Sequence, residues 1–281
     1  MGAFWISLRI LLLGYERIAG KKIGEKNSSI LSAWGFFGFS LLSMLPFIGF
    51  VNWDIIKVSF ISGSIYSFSF FLYMYALTHE DISVVAPLYN INTIFLIFGA
   101  YFTLNEPMNF SKFFGSILMI YGVSFLKKSN KIYKSYVNVL KSKGALSMIV
   151  SSILIAVGRI VDGFLTKEQG YNPIGYSVGV YFVMTIYFFV SSVLYERGIK
   201  HHIILVKDKL LYLILGGFCN AYAYIALLKA FRYIDISVAE PLSMLSAVVS
   251  ILFARVFYKE AIKIRLVGTA ILISGAFIIY Q

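Results

Sequence analysis

Apolar residues in this chain run in long, lightly interrupted stretches, not in the alternation of a half-buried strand. The stretches cover residues 3–20, 31–50, 55–77, 82–104, 110–126, 145–166, 174–195, 210–231, 236–257 and 262–280. Most approach the roughly 20 residues that a helix rising about 1.5 Å per residue needs to cross hydrocarbon. The pattern therefore predicts ten membrane helices. A membrane β-barrel would show segments of about ten residues alternating apolar and polar, and Ile91 to Phe98 does not alternate. The first stretch has no basic region before it and is interrupted by Arg9, so it reads as a span and not as a removable signal.

The polar positions between the stretches repeat. Asp81-Ile-Ser-Val-Val-Ala-Pro-Leu88 returns as Asp235-Ile-Ser-Val-Ala-Glu-Pro-Leu242, each at the entrance to a long apolar run. Glu106 follows Pro87 as Glu260 follows Pro241, and the glycine pair Gly115 and Gly122 returns as Gly268 and Gly275. Ordered landmarks over a whole segment indicate internal duplication. The halves are residues 1–126 and 144–281, joined by the basic linker 127–143. Five spans per half place the copies upside down relative to each other, the inverted-repeat architecture of many secondary transporters. In that architecture the substrate site lies near the midplane between the repeats.

Composition agrees with a bilayer protein: hydrophobic residues make up 59% and charged residues 14% of the chain, and mean hydropathy is +0.81. A soluble domain is about half apolar and a quarter charged. The net charge of +12 does not point to nucleic acid, because the lysines sit in loops between spans and no nucleic-acid module is visible. Membrane topology and anionic lipid account for them. In the linker, Ile132, Tyr133, Tyr136, Val137 and Leu140 recur at helical spacing among six lysines, which fits an interfacial amphipathic helix or a solvated connection. Lys21, Lys22, Lys26, Arg197, Lys200 and the linker lysines all lie in odd-numbered loops. The positive-inside rule then puts those loops in the cytoplasm and both termini outside.

The pattern of an acidic residue, Ser-Val, proline, a long apolar run, glutamate and a Gly-x6-Gly helix, at Asp81 to Gly122 and again at Asp235 to Gly275, resembles the EamA-type repeat of the drug/metabolite transporter superfamily. The resemblance covers nearly the whole chain; Gly14 with Lys22 and Gly158 with Lys167 extend it weakly to the first span of each half. It implies an all-α integral membrane protein of the inner (plasma) membrane, with ten helices as two inverted five-helix repeats. The central cavity would be lined by spans 1, 3, 4, 6, 8 and 9, and the cargo would be an amino acid, another metabolite, a toxic cation or a nucleotide sugar. It also implies cytoplasmic termini, against the charge count.

Ionisable groups inside spans are the candidate site residues, because each costs about 2.5–3.5 kcal/mol to insert unless it finds a partner or a wet cavity. Arg9 and Glu16 are two helical turns apart and share a face of the first span; Arg159 and Asp162 share a face of the sixth. These faces belong to corresponding spans and can meet across the repeat axis; alternatively Glu16, Arg17, Arg159 and Asp162 lie near helix ends and snorkel or pair structurally. Glu240 stands before Pro241 where the first half has Ala86 before Pro87. Proline removes a backbone donor and disfavours helix at the residue before it, which makes Pro87 and Pro241 candidate hinges. A carboxylate there can bind a cation, exchange a proton, or pair with Arg159 or Arg255. Asn90, Asn220 and Tyr224 complete the substrate-binding or coupling set, polar handles in apolar surroundings; Tyr66, Tyr73, Tyr75, Asn92 and Tyr222 are similar but less compelling among 26 Phe and 20 Tyr.

Enzymatic signals are poor: His79, His201 and His202 read as loop residues without zinc-site companions, and no nucleophile elbow or phosphate loop appears. No metal, cofactor or nucleic-acid partner is expected, and the partners left are a small-molecule substrate and membrane lipid, with monomer and homodimer both open. The leading expectation is a secondary active transporter of a small polar or cationic metabolite, an amino acid, amine or drug-like compound, proton-coupled or exchange-driven, with export among its directions. Translocation of a lipid-linked sugar or nucleotide sugar and a non-transporting scaffold or sensor are the competing functions. A reporter fused after Gln281 is expected to be active outside by the charge count; activity in the cytoplasm would favour the topology that the resemblance implies.

Overall fold

In a computed structural model, the structure describes residues 1–103, 109–123, 125–126, 132–243, 245–260 and 262–280. Among these residues the regular structure is helix, with no strand. The first half supplies α1 (Gly2–Gly24), α2 (Ser29–Ser43), a 3₁₀ segment (Leu45–Phe50), α3 (Trp53–His79), α4 (Ile82–Tyr89), α5 (Asn92–Thr103) and α6 (Phe110–Val123). After the linker helix α7 (Ile132–Lys141) come α8 (Lys143–Gly163) with a π turn (Phe164–Glu168), α9 (Pro173–Tyr195), α10 (Lys200–Ala230), α11 (Ile236–Ser243), α12 (Leu245–Tyr258) and α13 (Lys263–Tyr280). Six helical stretches are long and apolar enough to cross a membrane by length and composition: α3, α4 with α5, α8 with its π turn, α9, α10, and α11 with α12.

Local sequence sets the helix ends. Asn52 accepts from the Ile55 amide at 2.8 Å and Asn172 from the Ile174 amide at 2.9 Å, satisfying donors that every helix start leaves open. Pro46 stands three residues beyond the end of α2, so the stretch 31–50 is a helix that stops at Ser43 and continues as a 3₁₀ turn. The stretch 82–104 is likewise two helices. The backbone turns at Asn90 and Ile91 after Pro87 has removed a donor from α4, and the Ser152 hydroxyl of α8 donates to the Leu88 carbonyl at 3.1 Å. The corresponding stretch 236–257 is carried by α11 and α12, with Met244 between them outside the described residues. The backbone at Pro241 belongs to α11, its side chain lies outside the described part, and so do Glu106 and the linker residues 127–131.

One expectation is corrected. The eighth apolar stretch begins ten residues early, at Lys200, so His201 and His202 are helical and His202 is buried against the Ser192 hydroxyl at 2.8 Å; His79 is the last residue of α3. The linker is a helix, with Val137 and Leu140 of its apolar face exposed and Val139 buried.

The repeated glycine pairs explain themselves in packing. α6 and α13 lie antiparallel, with Gly115 against Gly275 and Gly122 against Gly268. A Cβ on Gly115 would stand 2.4 Å from the Gly275 carbonyl oxygen, and one on Gly268 would stand 2.8 Å from that of Gly122. Backbone meets backbone at both crossings, an approach that small residues permit in lipid. Gly14 lets α12 close on α1 in a different way, its backbone receiving the Val249 side chain, which a Cβ there would meet at 2.3 Å. Replacing Gly275 with Leu should therefore part α6 from α13 and destabilise the fold by about 1–3 kcal/mol, read as a lowered melting temperature in detergent, while the same change at the solvent-open Gly49 should have little effect.

Candidate functional site

Charged and aromatic side chains from six helices converge on one enclosed cavity. α1 sends in Arg9, Leu13 and Glu16, α3 Tyr66, Phe70 and Tyr73, α4 Tyr89, α8 Arg159, α9 Tyr181, and α10 Asn220 and Tyr224. The room inside is about 20 Å³ within some 410 Å³ of interatomic space, enough for a water and too little for a metabolite. The arrangement is closed.

Arg159 is the hub of its charge network. Its Nε donates to Glu240 Oε1 at 2.8 Å, and its Nη1 donates to the Tyr66 hydroxyl at 2.9 Å and to Asp162 Oδ2 at 3.1 Å. The guanidinium also stands 5.2 and 5.0 Å from the ring centres of Tyr66 and Tyr224, within cation–π reach. Arg9 meets Glu240 from the other side, its Nη2 at 3.3 Å from both carboxylate oxygens, and its Nε donates to Ser243 at 2.9 Å. Asp162 is completed by the Tyr66 hydroxyl at 2.5 Å and the Tyr176 hydroxyl at 2.9 Å. Two guanidinium groups and two carboxylates thus balance inside a site where each is at most 3% exposed.

Glu16 is held differently. Tyr73 donates to its carboxylate at 3.0 Å and the Asn220 amide at 3.3 Å, and Tyr181 fixes Asn220 by donating to its side-chain oxygen. Among the described residues Glu16 has no ion pair within 4 Å.

The foreseen meeting of charged faces on the first and sixth spans occurs through a third party. Arg9 and Arg159 are joined by Glu240 of α11, which pairs with both of them, while Arg255 donates instead to the Glu260 carbonyl at 3.3 Å. Of the candidates, Arg9, Glu16, Arg159, Asn220 and Tyr224 line the cavity, with Asp162 and Glu240 one bond behind it. Tyr224 stands near Asp162, but its hydroxyl closes no hydrogen bond of good geometry. Asn90 does not reach the cavity; it sits buried in the break between α4 and α5. The expected lining changes by one member: α9 contributes Tyr181, and α11 acts through Glu240 alone.

Sequence reading undervalued Tyr66 and Tyr73, which are seven residues apart on α3 as Arg9 and Glu16 are on α1. That shared spacing was the available signal, and Tyr75, off the period, stacks on His79 instead. It also gave no role to Glu260. The side chain of Glu260 accepts from the Ile82 amide at 3.1 Å, the Ser83 amide at 2.9 Å and the Ser83 hydroxyl at 2.5 Å, capping the helix that opens with the first octapeptide. Lys21 and Arg265 complete that cluster, Lys21 at 3.3 Å from Glu260 and Arg265 at 2.9 Å from Asp81. At the other end of the bundle Lys167 pairs with Asp235 at 2.8 Å, and Lys112 donates to Ser237 at 3.2 Å.

A buried cavity between two ionic clusters, reached by the broken helix α4, has the form of a carrier, and residues 1–127 and 142–281 match the EamA-like transporter family. The chain belongs to that family. It is 23% identical to the S-adenosylmethionine uptake transporter of Rickettsia prowazekii (strain Madrid E), over all of this chain and 92% of that protein. A solved crystal structure superposes with a TM-score of 0.70 at 14% identity, covering 99% of this chain and 96% of that one. That likeness shows the fold.

In this EamA-like chain no group of His, Cys, Asp or Glu suited to a metal occurs among the described residues. Replacing Glu240 with Gln leaves Arg9 and Arg159 facing a neutral amide. Loss of one partner of a buried pair costs about 3–5 kcal/mol, so Glu240→Gln should lower the detergent melting temperature far more than Glu196→Gln at the α9–α10 turn.

Proposed function

We propose that this protein is a secondary active transporter of a small metabolite that carries both a positive charge and an amino-acid-like carboxylate. The observation that carries the reading is the cavity wall itself. Arg9 and Arg159 offer guanidinium groups, Glu16 offers a carboxylate, and Tyr66, Tyr73, Tyr181 and Tyr224 offer ring faces and hydroxyls in one closed space. Guanidinium forks match carboxylates, and aromatic faces with a nearby carboxylate hold organic cations. The uptake transporter that this chain resembles is named for S-adenosylmethionine, a cargo with that pair of charges, and it is the first substrate to test.

Alternating access follows from ten helices arranged as two inverted repeats that rock about the cavity. Supporting the inversion, α1 ends beside Glu260 and Glu80 whereas its counterpart α8 begins beside Glu80 and ends at Asp235. The ionic clusters around Glu260 and Asp235 then act as the gates of the two faces. Opening either face breaks the hydrogen bonds that bind one half to the other. With no ATP-binding motif in the chain, the driving force is an ion gradient or exchange.

Glu16 is the coupling group in this scheme. Glu240 and Asp162 are locked by guanidinium groups, while Glu16 is hydrogen-bonded by a phenol and an amide and feels Arg17 and Arg9 only from beyond ion-pair distance, so it can take up a proton or the cargo's cation without breaking an ion pair. Reconstituted protein should accumulate labelled S-adenosylmethionine against unlabelled pool under an imposed proton gradient. Glu16→Gln should keep substrate exchange and lose the response to the gradient. Failure of any gradient to move a ligand that the purified protein binds would sink the transport reading.

A further inference from the structure

Arg17 is fully buried, and although Glu16 is its neighbour in the chain, no carboxylate lies within ion-pair distance of it among the described residues. Its Nη1 donates to the hydroxyls of Ser250 at 2.8 Å and Ser246 at 3.3 Å, and its guanidinium lies 5.1 Å from the ring centre of Tyr89. Its Nε and Nη2 meet no acceptor among the described residues, at an exposure of 0%. A buried guanidinium is stabilised when an anion pairs with it, and two serine hydroxyls and a ring face do not supply one.

Gly14 holds this geometry by letting α12 close on α1, where the Ser250 hydroxyl also reaches the Gly14 carbonyl at 3.2 Å.

The duplication shows what is missing. Each arginine of α1 docks on one octapeptide region at the position eight residues after its aspartate: Arg9 on Ser243 and Arg17 on Tyr89. Arg9 finds Glu240 three residues before Ser243; the corresponding residue before Tyr89 is Ala86. The second motif brings its own carboxylate and the first does not. Tyr89, the wall between Arg17 and the central cavity, ends α4 immediately before the break, where the chain can swing.

We infer that Arg17, with the hydroxyls of Ser246 and Ser250, forms an anion subsite that takes a carboxylate, the acidic group of the cargo, when Tyr89 moves aside. The identification of the anion as part of a cargo rests on the transport reading above; the subsite itself does not.

Sodium propionate serves as the probe, titrated against sodium chloride at equal ionic strength while the melting temperature of the detergent-solubilised protein is followed. The parent protein should show a saturable rise with propionate and none with chloride. Arg17→Gln should weaken propionate by about tenfold or more, the loss of a charge-assisted pair of hydrogen bonds, and Arg17→Lys should weaken it less. Ser250→Asp offers a second route should Arg17→Gln fail to fold: a carboxylate built in at 250 should raise the basal melting temperature and abolish the propionate response. A parent without a saturable response, or a Ser250→Asp protein that keeps one, overturns the subsite. Propionate binding that depends on Arg17 in a protein that moves no S-adenosylmethionine leaves the subsite standing and removes the proposed cargo.

Discussion

Charge neutrality in a closed, apolar interior is the constraint around which the rest of this structure is arranged. Arg9, Glu240, Arg159 and Asp162 sit together with almost no exposure, where an unpaired charge would cost several kcal/mol. Each is therefore held twice or more, and the holding groups come from α1, α3, α8, α9, α10 and α11. A network that touches so many helices cannot be satisfied by any one pair of them. The helices must be brought into register, and the glycines that let α1 approach α12 and α6 approach α13 are the means by which the small corrections in backbone position are made.

The same logic divides the bundle into a tight middle and two polar ends. Glu260, beyond α12, caps the α4 start through two amides and a hydroxyl, so an acid from one half organises the helix that opens the motif of the other. Such a cap holds the chain firmly only while the halves are together at that end. The break at Asn90 and the donor lost at Pro87 place compliance a short distance below the cap. Stiff ends that can be released and a weak point between them are what a rocking motion needs.

Much of this was legible in the sequence, and the reasons differ by feature. Long apolar runs announce helices because the bilayer leaves backbone groups no other partner, and the Gly-x6-Gly pairs announced a contact whose partner only three dimensions could name. Arg9, Glu16, Arg159 and Asp162 stood out because a charge in a span is rare and their spacings fixed a common face. Glu240 was visible through its departure from Ala86. Its double role as counter-ion to Arg9 and Arg159 was not, since that depends on α11 lying between α1 and α8. Asn90 misled for an opposite reason: an amide in an apolar run can serve a helix break as readily as a cavity. Arg17 was passed over as an end-of-helix arginine, because α1 runs on to Gly24, well past the apolar stretch that marked it.

The mismatch between the octapeptides acquires a sharper meaning from the two arginines of α1. A duplicated scaffold offers two equivalent seats, one after Asp81 and one after Asp235, and a guanidinium is docked on each. If both seats carried a glutamate, both arginines of α1 would be paired internally. If neither did, two unpaired guanidinium groups would strain the closed state. One glutamate leaves the core with Arg9 and Arg159 satisfied by Glu240 and Asp162, and with no carboxylate within ion-pair distance of Arg17 among the described residues. On the proposed reading, a cargo that brings a carboxylate to Arg17 turns its cationic part toward Glu16, so that each charge it adds there meets one of opposite sign. The asymmetry at position 86 would then tie the choice of cargo to the same neutrality that holds the closed bundle together.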